Sequence, residues 1–475
     1  GSLDDSLTRQ ISGVVDVVRL PAAEFSAIVG GFSSAGSVAV VAEGYWQAKK
    51  GLDALSIEWA ATENDAVSSE TIFAQFDKDI SANTNWQSDE AQGDLSGAME
   101  RAAQVIDVDY RVPFLAHTCM EPLNATAVVS EGACEIWIGC QSPLSFRKAV
   151  ADALGFEVEN VTLNNCFMGG GFGRKSRPDF AIQAALLSAE LGRPVQLIWS
   201  REEDVQQDFY RPAVQSRFRG ALDNAGHLIA WQNTYTGKME PIEAPLIPYA
   251  VDAKDIGYVA SPTHIPLGAW RSVDHSQHGF FTESFIDEVA AAANQDAYEY
   301  RAARLKHLPR QLAVLKKAAD EAQWHTPLAP GRGRGIALQE CFGSIIAQVV
   351  EVTVSEGDVS VDRVVAVIDA GYAVSPDGTK AQVESGIIYG LSAALYGEIT
   401  IQSGAVIQSN FHDYPSVRMS NAPVIETHII NSGEAIGGAG ELGTPPIAPA
   451  LANAIFNATG TRIRQLPIKN SEFSV

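Results

Sequence analysis

The 475-residue sequence predicts an α+β fold of mixed sheets with flanking helices. Three observations carry this. Between residues 103 and 320, short period-two apolar runs alternate with runs of helical period. From residue 334 to 371, three strand-like runs follow one another as a meander. Two glycine-rich turns, near residues 170 and 440, each lead into a helical pattern.

In chain order, Val14-Val15-Asp16-Val17-Val18 and Ser37-Val38-Ala39-Val40-Val41-Ala42 are strand-like, and residues 45–52 read as helical. Residues 61–95 are rich in Ser, Asn, Asp and Gln with few apolar anchors, and read as a connector. Gln104-Val105-Ile106-Asp107-Val108-Asp109-Tyr110 alternates as a strand does. Residues 144–154 carry a helical period that stops before Gly155. Val161-Thr162-Leu163 is strand-like and residues 179–187 helical. Leu197-Ile198-Trp199, Ser216-Arg217-Phe218-Arg219-Gly220 and Leu228-Ile229-Ala230-Trp231 read as strands of a mixed sheet. A helix over 283–293 is entered from Gly279. Pro327-Leu328-Ala329-Pro330-Gly331-Arg332-Gly333 is the clearest linker. The meander then takes 335–338, 347–354 and 359–368, and helices follow near 378–395 and 447–459. No repeat of solenoid period occurs.

Hydrophobic residues make up 46% and charged residues 19%, the balance of an ordinary globular protein. No apolar run reaches the roughly 18 residues of a membrane-spanning helix. A net charge of −23 argues against nucleic acid or an anionic membrane surface as the main partner. The five cysteines, Cys119, Cys134, Cys140, Cys166 and Cys341, include no C-x-x-C pair. A zinc or iron–sulfur site within this chain is therefore not expected, nor is a disulfide framework. The opening Gly1-Ser2-Leu3 lacks an initiator Met and reads as a remnant of tag cleavage, and the chain is expected to be a fragment of a longer subunit.

Chemistry concentrates at the two glycine-rich turns. In Gly437-Gly438-Ala439-Gly440-Glu441-Leu442-Gly443-Thr444-Pro445-Pro446, one carboxylate sits in a rigid apolar frame, as suits a general base. The alternative is a glutamate at a helix entry, helped by the helix dipole. Cys166-Phe167-Met168-Gly169-Gly170-Gly171-Phe172-Gly173-Arg174-Lys175 joins a strand to a helix, where backbone N–H groups can cradle phosphate or pterin oxygens. Arg174 breaks the Walker order, and the spacing is not that of a dinucleotide fingerprint.

These two turns, with His117-Thr118-Cys119-Met120-Glu121-Pro122, Trp137-Ile138-Gly139-Cys140-Gln141-Ser142-Pro143, Gly268-Ala269-Trp270-Arg271-Ser272-Val273, Ala381-Gln382-Val383-Glu384-Ser385-Gly386 and Asn410-Phe411-His412-Asp413-Tyr414-Pro415, form an ordered set. The set resembles the molybdopterin-binding large subunit of the xanthine dehydrogenase/aldehyde oxidase family. Its nearest branch is the isoquinoline 1-oxidoreductase beta subunit, with bacterial membrane-associated aldehyde dehydrogenase large subunits. The resemblance implies part of an α/β hammerhead domain over 1–60, a connector over 61–102, and molybdopterin-binding domains over 103–326 and 334–475. It implies oxidation of an isoquinoline-like N-heterocycle or an aldehyde, with water as the oxygen source.

By the same resemblance Glu441 is the catalytic base. Gln141 hydrogen-bonds an oxygen on the molybdenum, against the plain reading of a polar residue at a strand end. Gly170, Gly171 and Phe172 pack beside metal and pterin, against that of a tight turn. Arg271 lies near cofactor and substrate, against that of a structural ion pair. Gln382 contacts the cofactor, against that of a helix cap, and Gly440 belongs to the cofactor-binding set. His117, Glu121 and His412 are weaker candidates, and both histidines read better as structural. No protein side chain is expected to ligate the metal. The implied cofactor is molybdenum–molybdopterin cytosine dinucleotide. The implied partners are a small [2Fe-2S] subunit and a cytochrome c acceptor, and the compartment is the periplasm.

Two departures stand out. The family's Gly-Gln-Gly segment followed by Thr has no counterpart here, so the cofactor cleft is expected to lack a wall and the fragment to retain cofactor poorly. Leu442 stands where relatives often carry Pro, with little expected effect. The competing readings are a cofactor-free scaffold that binds a partner subunit and a nucleotide-binding enzyme built on GGGFGRK.

Overall fold

The computed structural model describes residues 1–470, apart from 27–30, 35 and 240. Three mixed sheets organise it. The first runs in the order Val161–Asn165, Ala133–Ile138, Asn124–Ser130, Val195–Ile198. Ala133–Ile138 alternates exposed and buried residues, as a half-covered strand must. It pairs in parallel with Val161–Asn165, so the C-terminal ends of the two strands finish side by side. The helices Pro143–Leu154 and Asp179–Leu191 cover the buried face through Phe146, Val150, Phe180 and Ile182.

The second sheet runs in the order Gln87–Gln92, Ala253–Val259, Leu228–Thr236, Val214–Leu222, Gln104–Val112. The helix His275–Ala292 lies on it, and Phe218, Trp231 and Phe285 meet edge-on or tilted between them. The third sheet is the meander Arg332–Cys341, Ser344–Ser355, Asp358–Asp369, joined in parallel by Val424–Ile430. Nearly all of Ser344–Ser355 is buried, so no in–out alternation is visible in its sequence. The helices Pro376–Leu395 and Ile447–Thr459 share this core. Near the N-terminus, Val14–Leu20 pairs antiparallel with Ser37–Ala42 beside the helix Tyr45–Asp53.

Two expectations need correction. Residues 61–102 are no bare connector: they hold the helix Ser69–Ala82, the edge strand Gln87–Gln92 and the helix Leu95–Glu100. A reciprocal capping box between Ser68 and Thr71 starts the first helix. Its buried anchors Ile72, Phe76 and Ile80 recur every four residues, a stripe too thin to stand out among so many polar neighbours. The helix expected over 283–293 begins at His275, eight residues earlier. Its first turns bury His275, Ser276, Gln277 and His278, and polar residues that face a core produce no hydrophobic period. Among the described residues no helix is long and apolar enough to cross a membrane. Cys119, Cys134, Cys140 and Cys341 are buried free thiols, and Cys166 is exposed.

Candidate active site

Where the two parallel strands end, the chain places Gln141 against the glycine turn. The Cys166 N–H donates to the Ile138 carbonyl (2.8 Å), which docks the start of the turn on the neighbouring strand. The Gln141 N–H donates to the Lys175 carbonyl (2.9 Å), and Gln141 Oε1 accepts from the Gly173 N–H (3.0 Å). That second bond fixes which way the carboxamide faces. Gln141 Nε2 is left on an exposed side chain with no partner among the described residues. A Cβ on Gly171 would stand 2.6 Å from Gln141 Oε1, and one on Gly173 (φ +111) would overlap the Ala269 carbonyl. Only glycine fits between these neighbours.

Alternate residues of His117-Thr118-Cys119-Met120-Glu121 clasp the same turn from beneath. The Cys119 thiol donates to the Gly171 carbonyl (3.3 Å). Glu121 accepts from the Gly169 N–H (2.7 Å) and pairs with the buried Lys175. Burial raises the Glu121 carboxyl, but bonds from Lys175, the Gly169 N–H and Asn124 outweigh it and hold the group below its ordinary value. His117 Nδ1 lies 3.0 Å from Asp208, and Nε2 lies 2.8 Å from the Ala269 carbonyl. Arg174 pairs with Asp179 (2.7 Å) and Asp208 (3.0 Å) beneath the turn. Both cations of GGGFGRK are therefore internal braces, not anion receptors. His412 is exposed beside Asp413 (3.5 Å), which caps a turn by accepting from the Ser409 and Asn410 N–H groups. The structure leaves His412 out of the site.

The second half of the site forms around residues 440 and 441. All three guanidinium nitrogens of Arg271 donate to protein atoms. Nε reaches the Gly440 carbonyl (3.0 Å) and Nη1 the Ser385 hydroxyl (2.9 Å). Nη2 reaches the Gln382 carbonyl (3.1 Å), Gln382 Oε1 (3.0 Å) and, again, Gly440. Ser272 Oγ donates to the Glu441 carbonyl (2.7 Å). Burial pushes the Glu441 carboxyl above its ordinary value, while the nearby Ser272 backbone and the charge of Arg271 pull it partly back. The helix Pro376–Leu395 approaches closely because Gly386 lies against Gly443, where a Cβ would meet the Gly443 Cα at 2.9 Å. Leu442 is fully buried beneath. A Cβ on Gly440 would meet nothing within 4 Å, so this residue faces open space.

Residues 269–272 join the two halves. Ala269 receives His117; Arg271 and Ser272 hold 440 and 441. Trp270 stacks on Tyr389 (4.6 Å), which stacks on Phe172 (4.5 Å). Each such pair contributes about 0.5–1.5 kcal/mol beyond its buried area. The Arg271 guanidinium lies 6.0 Å from the Phe172 ring centre. A cavity of about 700 Å³ opens beside this stack, lined by Thr118, Met120, Phe172, Trp270, Ser385 and Tyr389 among others. The segment is held in a costly conformation. Ser272 (φ +76) and Val273 (φ +43) are both left-handed, and a β-branched residue there costs about 1–2 kcal/mol.

The structure thus gathers Arg271, Gln382, Gly440 and Glu441 in one cluster, and Gln141, Gly170, Gly171 and Phe172 in another, bridged by Trp270 and Tyr389. Sequence reading missed Ser272, Ser385, Tyr389 and Asp208. Ser385 had a usable signal, three residues after Gln382 on one helix; Asp208 had none. Among the described residues no three His, Cys, Asp or Glu side chains gather as metal ligands. The polar groups on offer are amides, backbone groups and one half-buried carboxylate, a set suited to an organic group.

The chain is similar to known proteins along most of its length. Residues 76–305 and 282–423 each match a molybdopterin cofactor-binding domain. Isoquinoline 1-oxidoreductase subunit beta of Brevundimonas diminuta is 29% identical over 98% of this chain and 62% of its own length. The membrane-bound aldehyde dehydrogenase [pyrroloquinoline-quinone] of Gluconacetobacter polyoxogenes is 30% identical over 99% of this chain and 66% of its own. The chain therefore spans just under two thirds of the length of these relatives. The crystal structure of quinoline 2-oxidoreductase from Pseudomonas putida 86 has the same fold, with a TM-score of 0.81 at 15% identity over 98% of this chain and 91% of that one.

Proposed function

Because the chain belongs to the molybdopterin-binding large subunits of the xanthine dehydrogenase/aldehyde oxidase family, we propose that it is the catalytic subunit of a molybdenum hydroxylase oxidising an N-heterocycle or an aldehyde. The observation that carries this reading is Glu441. It is a carboxylate made more basic by burial, on a backbone held by Ser272 and Arg271, next to the open space at Gly440.

The residues present fit a pterin-bound metal. Gln141 Nε2 is an unspent neutral donor. Gly170, Gly171 and Phe172 supply a close backbone surface, Gly440 leaves space, and Gln382 stands beside it. When bound, the cofactor supplies the oxidising power and the site of oxygen transfer. The chain supplies the rest. Glu441 takes the proton from the water whose oxygen enters the product. Arg271 spends its donors on Gly440, Gln382 and Ser385, so it serves as a fixed charge and brace, not as a free fork. The stack Phe172–Tyr389–Trp270 walls the approach and keeps water out.

The finer reading is a cytosine dinucleotide form of the cofactor, electron transfer to a [2Fe-2S] subunit and onward to a cytochrome c, and a periplasmic location. The test is Glu441→Gln in the complete enzyme. Turnover should vanish while molybdenum content stays at the wild-type level. Near-normal turnover would overturn the assignment.

A further inference from the structure

Consecutive residues of one strained turn hold consecutive carbonyls of the loop that carries the base. Arg271 binds the carbonyl of Gly440, and Ser272 Oγ binds that of Glu441 at 2.7 Å. Ser272 is fully buried at φ +76, followed by Val273 at φ +43. The turn is closed by the Val273 N–H on the Trp270 carbonyl (2.6 Å) and the His275 N–H on the Ser272 carbonyl (3.1 Å). We propose that Ser272 is the positioning residue for Glu441: its hydroxyl fixes the backbone of residue 441, and the left-handed turn aims that hydroxyl at the Glu441 carbonyl.

A right-handed residue 272 would turn the Cβ to another direction, so its hydroxyl could not serve the Glu441 carbonyl. Strain of this kind persists where the surroundings over-determine it, and here Arg271, the helix entry and the Glu441 loop all do so. The nearby Ser272 backbone opposes the rise in proton affinity that burial imposes on Glu441. The other ionisable groups facing this carboxylate are Arg271 and the buried Cys341 thiol, which burial and then Glu441 push up. The proposal rests on Glu441 as the base, but its test reads the carboxyl directly.

Ser272→Ala and Ser272→Gly separate the parts. Both lose the hydroxyl. Alanine keeps the strain of φ +76 without the hydroxyl bond that offsets it, so the turn relaxes and residue 441 shifts; glycine accepts that φ and leaves the turn, with Arg271 on Gly440, in place. In the full chain labelled with ¹³C-carboxyl glutamate, the Glu441 resonance is assigned by its loss in Glu441→Gln. The Ala variant is expected to titrate at least half a pH unit higher than wild type, and the Gly variant within a few tenths. In the loaded enzyme kcat should fall about tenfold for Ala and less for Gly, with KM unchanged and the acid limb of the pH profile moved up for Ala alone. A lower melting temperature with an unmoved Glu441 midpoint in Ser272→Ala would overturn the proposal, as would identical midpoints in the two variants. If the midpoint moves while Glu441→Gln still turns over, Ser272 positions the carboxylate and the catalytic reading is what fails.

Discussion

Arg271 Nε donates to the Gly440 carbonyl at 3.0 Å, so a buried cation from the turn before one helix braces the peptide that carries the carboxylate at the start of another. The same guanidinium ties in Gln382 and Ser385 from the helix Pro376–Leu395. Lysine keeps the charge but presents one nitrogen where three are used. Arg271→Lys should leave at least one part-buried carbonyl unpaired and cost about 1–2 kcal/mol, visible as a lower melting temperature. A change within about 0.5 kcal/mol would mean the fork is not a brace.

Glu441 makes stability depend on pH with a definite sign. Its folded-state proton affinity is raised, chiefly by burial. Its contribution is therefore fully present below the unfolded pKa near 4.5 and is lost as pH rises through the higher folded value. Glu441→Gln carries no charge to desolvate. The variant should melt above wild type at pH 8, and the gap should close on acidification toward pH 4. A gap that stays constant over this range would show that the carboxylate is not desolvated in the folded protein.

Much of the fold was legible in the sequence because the elements that announce themselves do so by period. The alternation of Gln104–Val112 and the meander over 332–369 are examples. What escaped lacks a period for a physical reason. The edge strand Gln87–Gln92 is almost wholly polar, and the start of His275–Ala292 buries His275, Gln277 and His278, which read as surface. In the site, glycine spacing marked 169–173 and 437–443, since close approach is the reason for glycine there. The clasp on Gly171 and Gly169 by Cys119 and Glu121 was not legible, because it depends on which residues 48 to 52 positions away a side chain meets. The left-handed Ser272 and Val273 were equally hidden, since neither residue type signals such a turn.

Two glycines of the site should respond oppositely to alanine. At Gly173 the new Cβ overlaps the Ala269 carbonyl and φ is +111, so the turn has to move; a loss of about 3 kcal/mol or more is expected. At Gly440 the Cβ meets nothing, so Gly440→Ala should leave the melting temperature of the cofactor-free chain unchanged. In the complete enzyme that space belongs to the cofactor under the proposed reading, and Gly440→Ala should lower molybdenum content. Full retention of molybdenum by Gly440→Ala would place the cofactor elsewhere.

The Glu121–Lys175 pair gives the clearest test of the clasp beneath the glycine turn. Lys175 is 1% exposed, and Glu121 is its charged partner. Removing the half-buried partner strands a buried charge, which costs about 3 kcal/mol, whereas replacing both by uncharged groups costs far less. Glu121→Gln should therefore destabilise the chain strongly, and Glu121→Gln with Lys175→Met should recover most of that loss. The double variant still weakens the Gly169 bond, because a neutral amide oxygen accepts less strongly than a carboxylate. The glycine turn should then be looser in a folded protein, read as faster hydrogen exchange at 169–173 with a near-normal melting temperature. If the double variant melts as low as Glu121→Gln alone, the pair acts through packing and its charge is not what holds the turn.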